Sequence, residues 1–530
     1  MIRRPWYSSP LLILLALFLL QWLFLQSIRE PTWDAVSYYI YARSVVFDRD
    51  LQFENDYQLS YPTAGEHFAY KALDQVKTET GRVANLFAVG TALLWLPWLT
   101  VLRVAALFLF PVEVGLTGYE RFFVSNLAAL SALFGFLAIL LSYCVAQGAI
   151  NRRLALVSAA TLMFATPMLY YQFREPMYSH TASALAVSLC VFVWWRRHDT
   201  KVTAWHALGL GALIGLAGLV RWQNLAYLLL PFMSSLMLWV KEPERRSRQV
   251  WGPALQNLLL SGVAALAVFT LQMAMWRVLY GSFITIPQGN TFIDWRASFL
   301  IPLLFSSFRG LLPWMPVFFL ALIGLLALSK RKPLLGLPLL LMLLLAIYIN
   351  GSTRDWFAGG GYGPRRLTSE LVIFVVGYAA FLKLLPRRIR SWAAVLLGIG
   401  LALHQWILLR YALEERLGGQ VMSMAPTFNW EDIPLTQFIV DLLSLAVRAG
   451  QQPIDFLILP DSPISIILNS QAWPVQHVGT LLATFLFLLL VVGGTILWAR
   501  RTKTKNQLVW ALLLVVLFLG LVELWILVGS

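Results

Sequence analysis

The chain has 530 residues, 59% of them hydrophobic and 13% charged, with 22 tryptophans and a mean hydropathy of +0.70. This composition excludes a soluble domain and describes a polytopic membrane protein. The formal net charge of +15 does not point to nucleic acid, because the basic residues sit in short clusters between apolar runs.

The chain opens Met1-Ile2-Arg3-Arg4, followed by the apolar run Leu11–Leu25. That resembles a signal peptide, but no small-residue cleavage site follows and Asp34 comes at once, so an uncleaved first helix is expected. Further basic clusters are Arg152/Arg153, Arg196/Arg197/Lys201, Lys241/Arg245/Arg246/Arg248, Lys330/Arg331/Lys332, Arg387/Arg388/Arg390 and Arg500/Arg501/Lys503/Lys505. The apolar runs between them predict about thirteen membrane helices. They fall near 10–28, 122–147, 154–172, 180–195, 204–220, 224–240, 253–280, 311–329, 333–350, 367–385, 391–412, 477–499 and 507–529. With a cytoplasmic N-terminus, every basic cluster then lies inside. Most acids segregate to the outer segments 29–121, 281–310 and 413–476 and the shorter 173–179 and 351–366.

Residues 83–110 are also apolar, but Pro97 and Arg103 interrupt them. Counting them as a span would place nearly all later basic clusters outside, so they read as an interfacial or re-entrant element on the outer face. A true span with a broken charge rule is the alternative. The fold class is therefore an all-α polytopic membrane protein with interfacial helices on the outer face. It divides into a membrane module over 1–412, an outer segment over 413–476 and two last helices over 477–530. Cys144 and Cys190 both lie in apolar runs and read as ordinary core residues.

Four outer segments hold residues that are costly near a membrane. After the first helix comes Trp33-Asp34-Ala35-Val36-Ser37-Tyr38-Tyr39-Ile40-Tyr41-Ala42-Arg43-Ser44. Tyr38, Ala42 and Val45 share one helical face with Asp34 at its start, as in an amphipathic helix on the membrane surface. Asp34 is either a first-turn acid steadied by the helix dipole or a working carboxylate. Asp48-Arg49-Asp50 reads as a solvated turn or as a cation-binding D-x-D string. Next, Tyr170 to His180 packs Arg174, Glu175 and His180 into a tight turn, with structural and functional roles open for Glu175 and His180. In Arg221-Trp222-Gln223-Asn224 the cation wants an anion, either a protein carboxylate or a ligand.

The last segment is Arg354-Asp355-Trp356-Phe357-Ala358-Gly359-Gly360-Gly361-Tyr362-Gly363-Pro364-Arg365-Arg366. Its glycines allow close backbone approach to a ligand. Two outer arginines precede a helix start, a combination suited to phosphate. A structural turn with surface arginines is the other reading. An outer carboxylate and an outer phosphate site together suit sugar transfer from a polyprenyl-phosphate carrier. The phosphate is already a good leaving group. What is needed is a base for the acceptor hydroxyl and cations for the developing phosphate charge.

The order of these features resembles the GT-C fold of integral-membrane glycosyltransferases, the group holding the aminoarabinose and protein-mannosyl transferases. The matching pieces are the acid after helix one with Tyr39 to Ser44, Leu94-Trp95-Leu96-Pro97, Met177-Tyr178-Ser179-His180 and Arg221-Trp222-Gln223-Asn224. Leu304-Phe305-Ser306-Ser307-Phe308-Arg309-Gly310-Leu311 and Gly361-Tyr362-Gly363-Pro364-Arg365-Arg366 complete the set, over roughly residues 1–385. The resemblance implies that Asp34 is the catalytic base, that the last motif contacts donor phosphate, and that a lipid groove lies beside the interfacial helices. Related sequences often carry a second acid after the first; Ala35 stands there here, which weakens a metal-binding acid pair.

The expected catalytic groups are thus Asp34 and Glu175. Expected substrate contacts are Tyr38, Arg43, His180, Arg221, Tyr362, Arg365 and Arg366. No cofactor is expected and a divalent cation is not indicated. Expected partners are a polyprenyl-phosphate-linked sugar, an extracytoplasmic acceptor and membrane lipids, in a plasma membrane with the active site outside. The rival classes are a transporter or flippase of lipid-linked sugars and a non-catalytic binder of them.

The charge distribution makes one prediction about topology. Cysteines placed near Gly118 and Gly360 should react with an impermeant reagent applied from outside. Protection of either, with labelling from the cytoplasm, would overturn the arrangement.

Overall fold

A computed structural model describes residues 10–27, 31, 34–60, 77–109, 115–198, 202–241, 248–359, 361–413 and 435–452, with 457, 459 and 462. The first elements are α1 (Pro10–Leu25), α2 (Asp34–Arg43), α3 (Glu54–Ser60), α4 (Gly90–Leu109), α5 (Arg121–Ala149), α6 (Arg152–Phe164), α7 (Met168–Phe173), α8 (His180–Trp195) and α9 (Ala204–Val220). They are followed by α10 (Leu229–Lys241), α11 (Arg248–Tyr280), α12 (Leu300–Phe305), α13 (Leu311–Trp314), α14 (Val317–Arg331), α15 (Pro333–Gly351), α16 (Leu371–Leu384), α17 (Arg390–Tyr411) and α18 (Leu435–Gln451). Among the described residues there is no strand, only isolated bridges at Lys77–Val83 and Ile293–Thr353.

Among the described residues six helices are long and apolar enough to cross a membrane: α4, α5, α11, α15, α17 and the Arg365–Leu384 segment; α1, α8 and α9 are shorter apolar helices. The remaining expected spans are broken for local reasons. The 154–172 run divides at Ala165–Pro167 into α6 and α7, and 311–329 divides at Met315-Pro316 into α13 and α14. Proline lacks the N–H that would continue each helix. The 224–240 and 367–385 runs each begin as a tight three-residue-per-turn helix, over Trp222–Leu228 and Arg365–Glu370. The expected spans 477–499 and 507–529, and most of 413–476, lie outside the described residues.

Small residues let the helices pack closely, which matters where lipid offers no hydrophobic drive for association. Gly211 and Gly215 of α9 lie against the backbone of Ser261 and Ala265 on α11. Gly324 of α14 lies against Gly377 of α16, where an added Cβ would stand 1.9 Å from the Gly377 carbonyl oxygen. Other faces stay apolar and open. Leu255, Leu259, Val263 and Leu266 on α11, and Trp392, Leu396, Ile399 and Leu403 on α17, are exposed at helical spacing. Those are lipid-facing stripes.

One end of the bundle is roofed by the connecting segments. Asn85 Nδ2 donates to the Ser37 carbonyl at 2.8 Å, Tyr280 Oη to the Asn85 carbonyl at 2.8 Å, and Gln288 Nε2 to the Leu86 carbonyl at 2.7 Å. Asp294 N–H donates to the Ser352 carbonyl at 2.6 Å. These bonds put 77–89, 281–299 and 352–364 on the same end as α2. The amphipathic reading of α2 needs correction: every residue from Ala35 to Arg43 is buried, because these segments cover the face that sequence leaves for water.

Within the 83–110 run, Gly90–Leu109 form one helix that continues through Pro97. Its length and hydropathy would suffice to cross a membrane. Its contacts run from the roofed end to the side of α5. Gly90 touches the backbone of Leu219 and Val220 at the end of α9, and Trp95 Nε1 donates to Ser131 Oγ at 2.9 Å. Further along, the Arg103 guanidinium sits 4.6 Å over the Phe47 ring, and Phe47 lies against Phe123 at the start of α5.

Below that roof, Arg43 meets Asp48 and lies 3.1 Å from Asp56 Oδ1. Its Nε donates to the Thr117 carbonyl at 2.7 Å. Tyr119 Oη lies 3.2 Å from Asp56 Oδ1, while the buried Asp56 Oδ2 has no partner. Asp50 accepts from Ser44 Oγ at 2.7 Å, so Asp48 and Asp50 serve different partners instead of facing one cation.

Two predictions follow from this packing. Gly324→Ala should destabilise the protein by about 1–3 kcal/mol, because backbone must move to admit the methyl group. Gly400→Ala, at a position with nothing within 4 Å, should leave stability unchanged or slightly raised. Thermal unfolding in detergent reads both, and equal melting temperatures would remove the α14–α16 contact as a constraint. The second concerns pH. Burial, opposed by Arg43, pushes Asp56 up from the ordinary 3.8 to about 7. Between those values the folded state holds more protons than the unfolded one. Stability should therefore fall as pH rises from about 4 to about 7, by at most about 1.4 kcal/mol per pH unit. Asp56→Asn should flatten that slope in limited-proteolysis profiles of the outer loop; an unchanged slope would assign it elsewhere.

Candidate active site

The site begins with Asp34, the first residue of α2, where its negative charge complements the helix dipole. Its Oδ2 lies 2.9 Å from Arg365 Nη2, with side-chain exposures of 22% and 11%. The pair is therefore reachable from outside, not sealed in the core. Arg365 also sits 5.3 Å over the ring of Tyr178. Burial, and then the carboxylates of Asp34 and Glu175, push the Tyr178 hydroxyl well up. Glu175 is thus near the site, half-buried in the turn after α7.

Tyr38, one turn along α2, accepts a hydrogen bond from Ser179 Oγ at 2.9 Å. Burial raises its hydroxyl, against Arg221, which lowers it. Arg221 terminates α9 in extended backbone. Its Nη1 lies 3.4 Å from His180 Nδ1, and His180 Nδ1 lies 3.0 Å from Thr368 Oγ1. An arginine can only donate, so Nδ1 is the acceptor in that contact. Burial, with Arg366 and Arg365 nearby, pulls the Arg221 guanidinium down to about 10, still charged at neutral pH. Among the described residues no carboxylate lies within ion-pair distance of Arg221. That leaves the ligand alternative for this cation standing.

The two adjacent arginines do not act as a pair. The turn over Arg365–Glu370 has about three residues per turn, which sends neighbouring side chains roughly 120° apart. Arg365 goes to Asp34. Arg366 Nη2 goes to Asp355 Oδ2 at 2.8 Å, and its other arm to the Asp355 carbonyl. Asp355 Oδ1 in turn accepts from Gly359 N–H at 2.9 Å. Arg366 is thereby a brace of the glycine loop.

The loop's glycines have distinct tasks. Gly359 and Gly363 adopt φ of +59° and +56°, the left-handed region. Gly361 makes room: an added Cβ would stand 2.7 Å from Arg365 Cδ and 2.7 Å from Tyr171 Oη. Tyr171 Oη accepts from Tyr362 N–H at 2.6 Å, fixing the loop against α7. Arg309 completes the brace by donating to the carbonyls of Phe357, at 2.9 Å, and Gly359. Burial brings Arg309 down to about 10, also still charged.

Four guanidinium groups, those of Arg221, Arg309, Arg365 and Arg366, therefore converge on a site whose carboxylates in direct contact are Asp34 and Asp355. The remaining positive charge suits an anionic ligand. Asp34, Tyr38, His180, Arg221 and Arg365, all expected from sequence, come together, with Glu175 and Arg366 beside them. Two expected residues do not. Arg43 is spent on Asp48 and Asp56 at the far end of α2. The Tyr362 ring is stacked on Tyr170 at 4.9 Å, and its hydroxyl bonds Gln405 in the core. His180 is 2% exposed and holds Arg221 and Thr368 from beneath. Arg309, Asp355, Tyr178 and Ser179 lie inside the quoted motifs but are not among the expected site residues. A signal existed for Arg309, a lone outer cation in Ser306-Ser307-Phe308-Arg309-Gly310, against the positive-inside pattern.

No protein-family model matches the chain, and no curated protein matches it. Among solved structures it is similar to ArnT from Cupriavidus metallidurans bound to undecaprenyl phosphate. The identity is 16% and the TM-score 0.46, over 98% of this chain and 77% of that one. The apo state of the same ArnT gives 16% identity and a TM-score of 0.46 over 87% and 74%. It is also similar to the Archaeoglobus fulgidus oligosaccharyltransferase in complex with zinc and sulfate, at 14% identity and a TM-score of 0.45 over 76% of this chain and 52% of that one. The chain thus spans about half the length of that oligosaccharyltransferase.

Proposed function

We propose that the chain is a membrane glycosyltransferase that moves a sugar from a polyprenyl-phosphate donor to an acceptor on the outer face of a plasma membrane. The observation that carries this reading is the Asp34–Arg365 contact at 2.9 Å within a cluster of guanidinium groups. A base and a phosphate-binding cation are thereby neighbours at one accessible point.

In this mechanism the acceptor hydroxyl attacks the anomeric carbon as the bond to the phosphate oxygen breaks. Asp34 takes the hydroxyl proton. The polyprenyl phosphate leaves with the electron pair, and its added charge is met by Arg365 and Arg221. A single displacement inverts the anomeric centre relative to the donor. Arg365 spends one of its five donors on Asp34, so its planar fork can span carboxylate and phosphate at once. Arg366 and Arg309 act as positioning residues through the glycine loop. Asp34 does not need a second carboxylate across the bond, as glycosidases do.

Asp34→Asn keeps the side-chain shape and removes the proton acceptor. It should slow transfer by roughly 10²–10⁴-fold with donor binding largely retained. Arg365→Lys should not rescue Arg365→Ala, because a point charge cannot bridge two acceptors, and the loss should be about 10–150-fold in donor use. The assay is a panel of polyprenyl-phosphate sugars in detergent, where no membrane separates two compartments. Normal turnover in folded Asp34→Asn protein would move the base to Glu175. No transfer by the wild type across the panel would favour a transporter of lipid-linked sugars.

A further inference from the structure

A second site lies at the opposite end of the bundle. α5 is 29 residues long, so Ala149 stands about 43 Å from Arg121 along the helix. α8 runs from His180 at the site to Trp195, and α15 runs from Pro333 to Gly351 beneath the glycine loop. The far ends of all three helices meet around one cavity of about 600 Å³. Its walls carry Arg196, His198, Arg331 and Lys332, with Trp195 and Leu335 among its apolar lining. Among the described residues none that lines it is acidic. Two basic clusters that are remote in sequence are thus gathered at one hole.

Helix capping explains part of this charge. Lys332 Nζ donates to the Ala149 carbonyl at 2.8 Å, closing the end of α5. An ammonium has three donors, so two remain. Arg196 and Arg331 are exposed, and among the described residues neither has an ion-pair partner. Capping also requires no cavity. In the cavity wall the Trp195 ring packs on Gly148, where an added Cβ would stand 2.3 Å from it. The N-terminus of the 19-residue α15, opened by Pro333 and lining the cavity through Leu335, adds partial positive charge.

We propose that this cavity binds the phosphate of an anionic phospholipid, with Arg196, Arg331 and Lys332 on the headgroup and Trp195 and Leu335 against the first part of the chains. A basic pocket between membrane helices on the side rich in Lys and Arg is where such headgroups bind. The volume is within the range of a ligand pocket and well beyond what inorganic phosphate needs. The apolar part of the lining has no use for a free anion.

The test uses the full-length protein in detergent, with phosphatidylglycerol or phosphatidylcholine added and bound lipid read by native mass spectrometry. Wild type should retain phosphatidylglycerol over phosphatidylcholine. Arg196→Gln/Arg331→Gln, which keeps the Lys332 cap, should lower that affinity about tenfold or more. Gly148→Ala should weaken it with no change of charge, by pushing Trp195 into the cavity. Neither variant touches the Asp34 site, so sugar transfer in detergent serves as a folding control. Undiminished retention in the double variant would overturn the proposal, and so would unchanged affinity in folded Gly148→Ala. Displacement of the lipid by equimolar inorganic phosphate would overturn the lipid assignment and leave a soluble-anion site. If Gly148→Ala fails to fold, the double variant alone decides.

Discussion

The contact between Asp34 and Arg365 joins the start of α2 to the glycine loop before α16. A carboxylate just after the first helix meets a guanidinium just before α16, and neither has full access to water. Charges in such a place are costly unless paired, so the pair constrains how the first outer loop sits on the bundle. α2 is clamped beneath the segments around Asn85 and Gly118. The glycine loop is clamped from the other side by Arg309, Asp355 and Tyr171. The site is the seam between these two clamped parts.

This arrangement reconciles two demands that oppose each other. A base needs a negative charge, and a phosphate-binding site needs positive charge in the same few ångströms. Placing Arg365 between Asp34 and the remaining cations satisfies both. The surplus guanidinium charge is held off by burial and by carbonyl partners, not by carboxylates. Arg221 is the clearest case, since its contact is with a histidine nitrogen. A cation left in that state favours whatever anion arrives.

The two ends of the bundle also differ in how they use arginine. At the site end the guanidinium groups are buried or half-buried and each has an assigned geometry. At the far end Arg196 and Arg331 are exposed around an open cavity. Three helices pass between, and close glycine contacts such as Gly324 on Gly377 keep neighbouring helices in register. Both ends gather cations, and among the described residues only the first places a carboxylate in direct contact with them.

Much of this was readable from sequence. Hydropathy marked the apolar helices, though six among the described residues are long enough to span where about thirteen spans were expected over the whole chain. The isolated acid after helix one and the Gly-rich run before Arg365 stood out because such residues are expensive near a membrane, and the fold brings them together. Breaks at Pro167 and Pro316 were less visible, because apolar runs continue through them. The partnering of side chains was not readable at all. Arg365 and Arg366 look equivalent in sequence, and only the tight turn that carries them sends one to Asp34 and the other to Asp355. Arg43 and Tyr362 sit in motif-like strings, yet tertiary packing spends one on Asp56 and buries the other against Gln405. α2 carries an amphipathic pattern, but loops from remote parts of the chain cover its polar face. Local composition determines which segments enter the membrane; which charge meets which is decided by distance in space, and only the folded chain sets that.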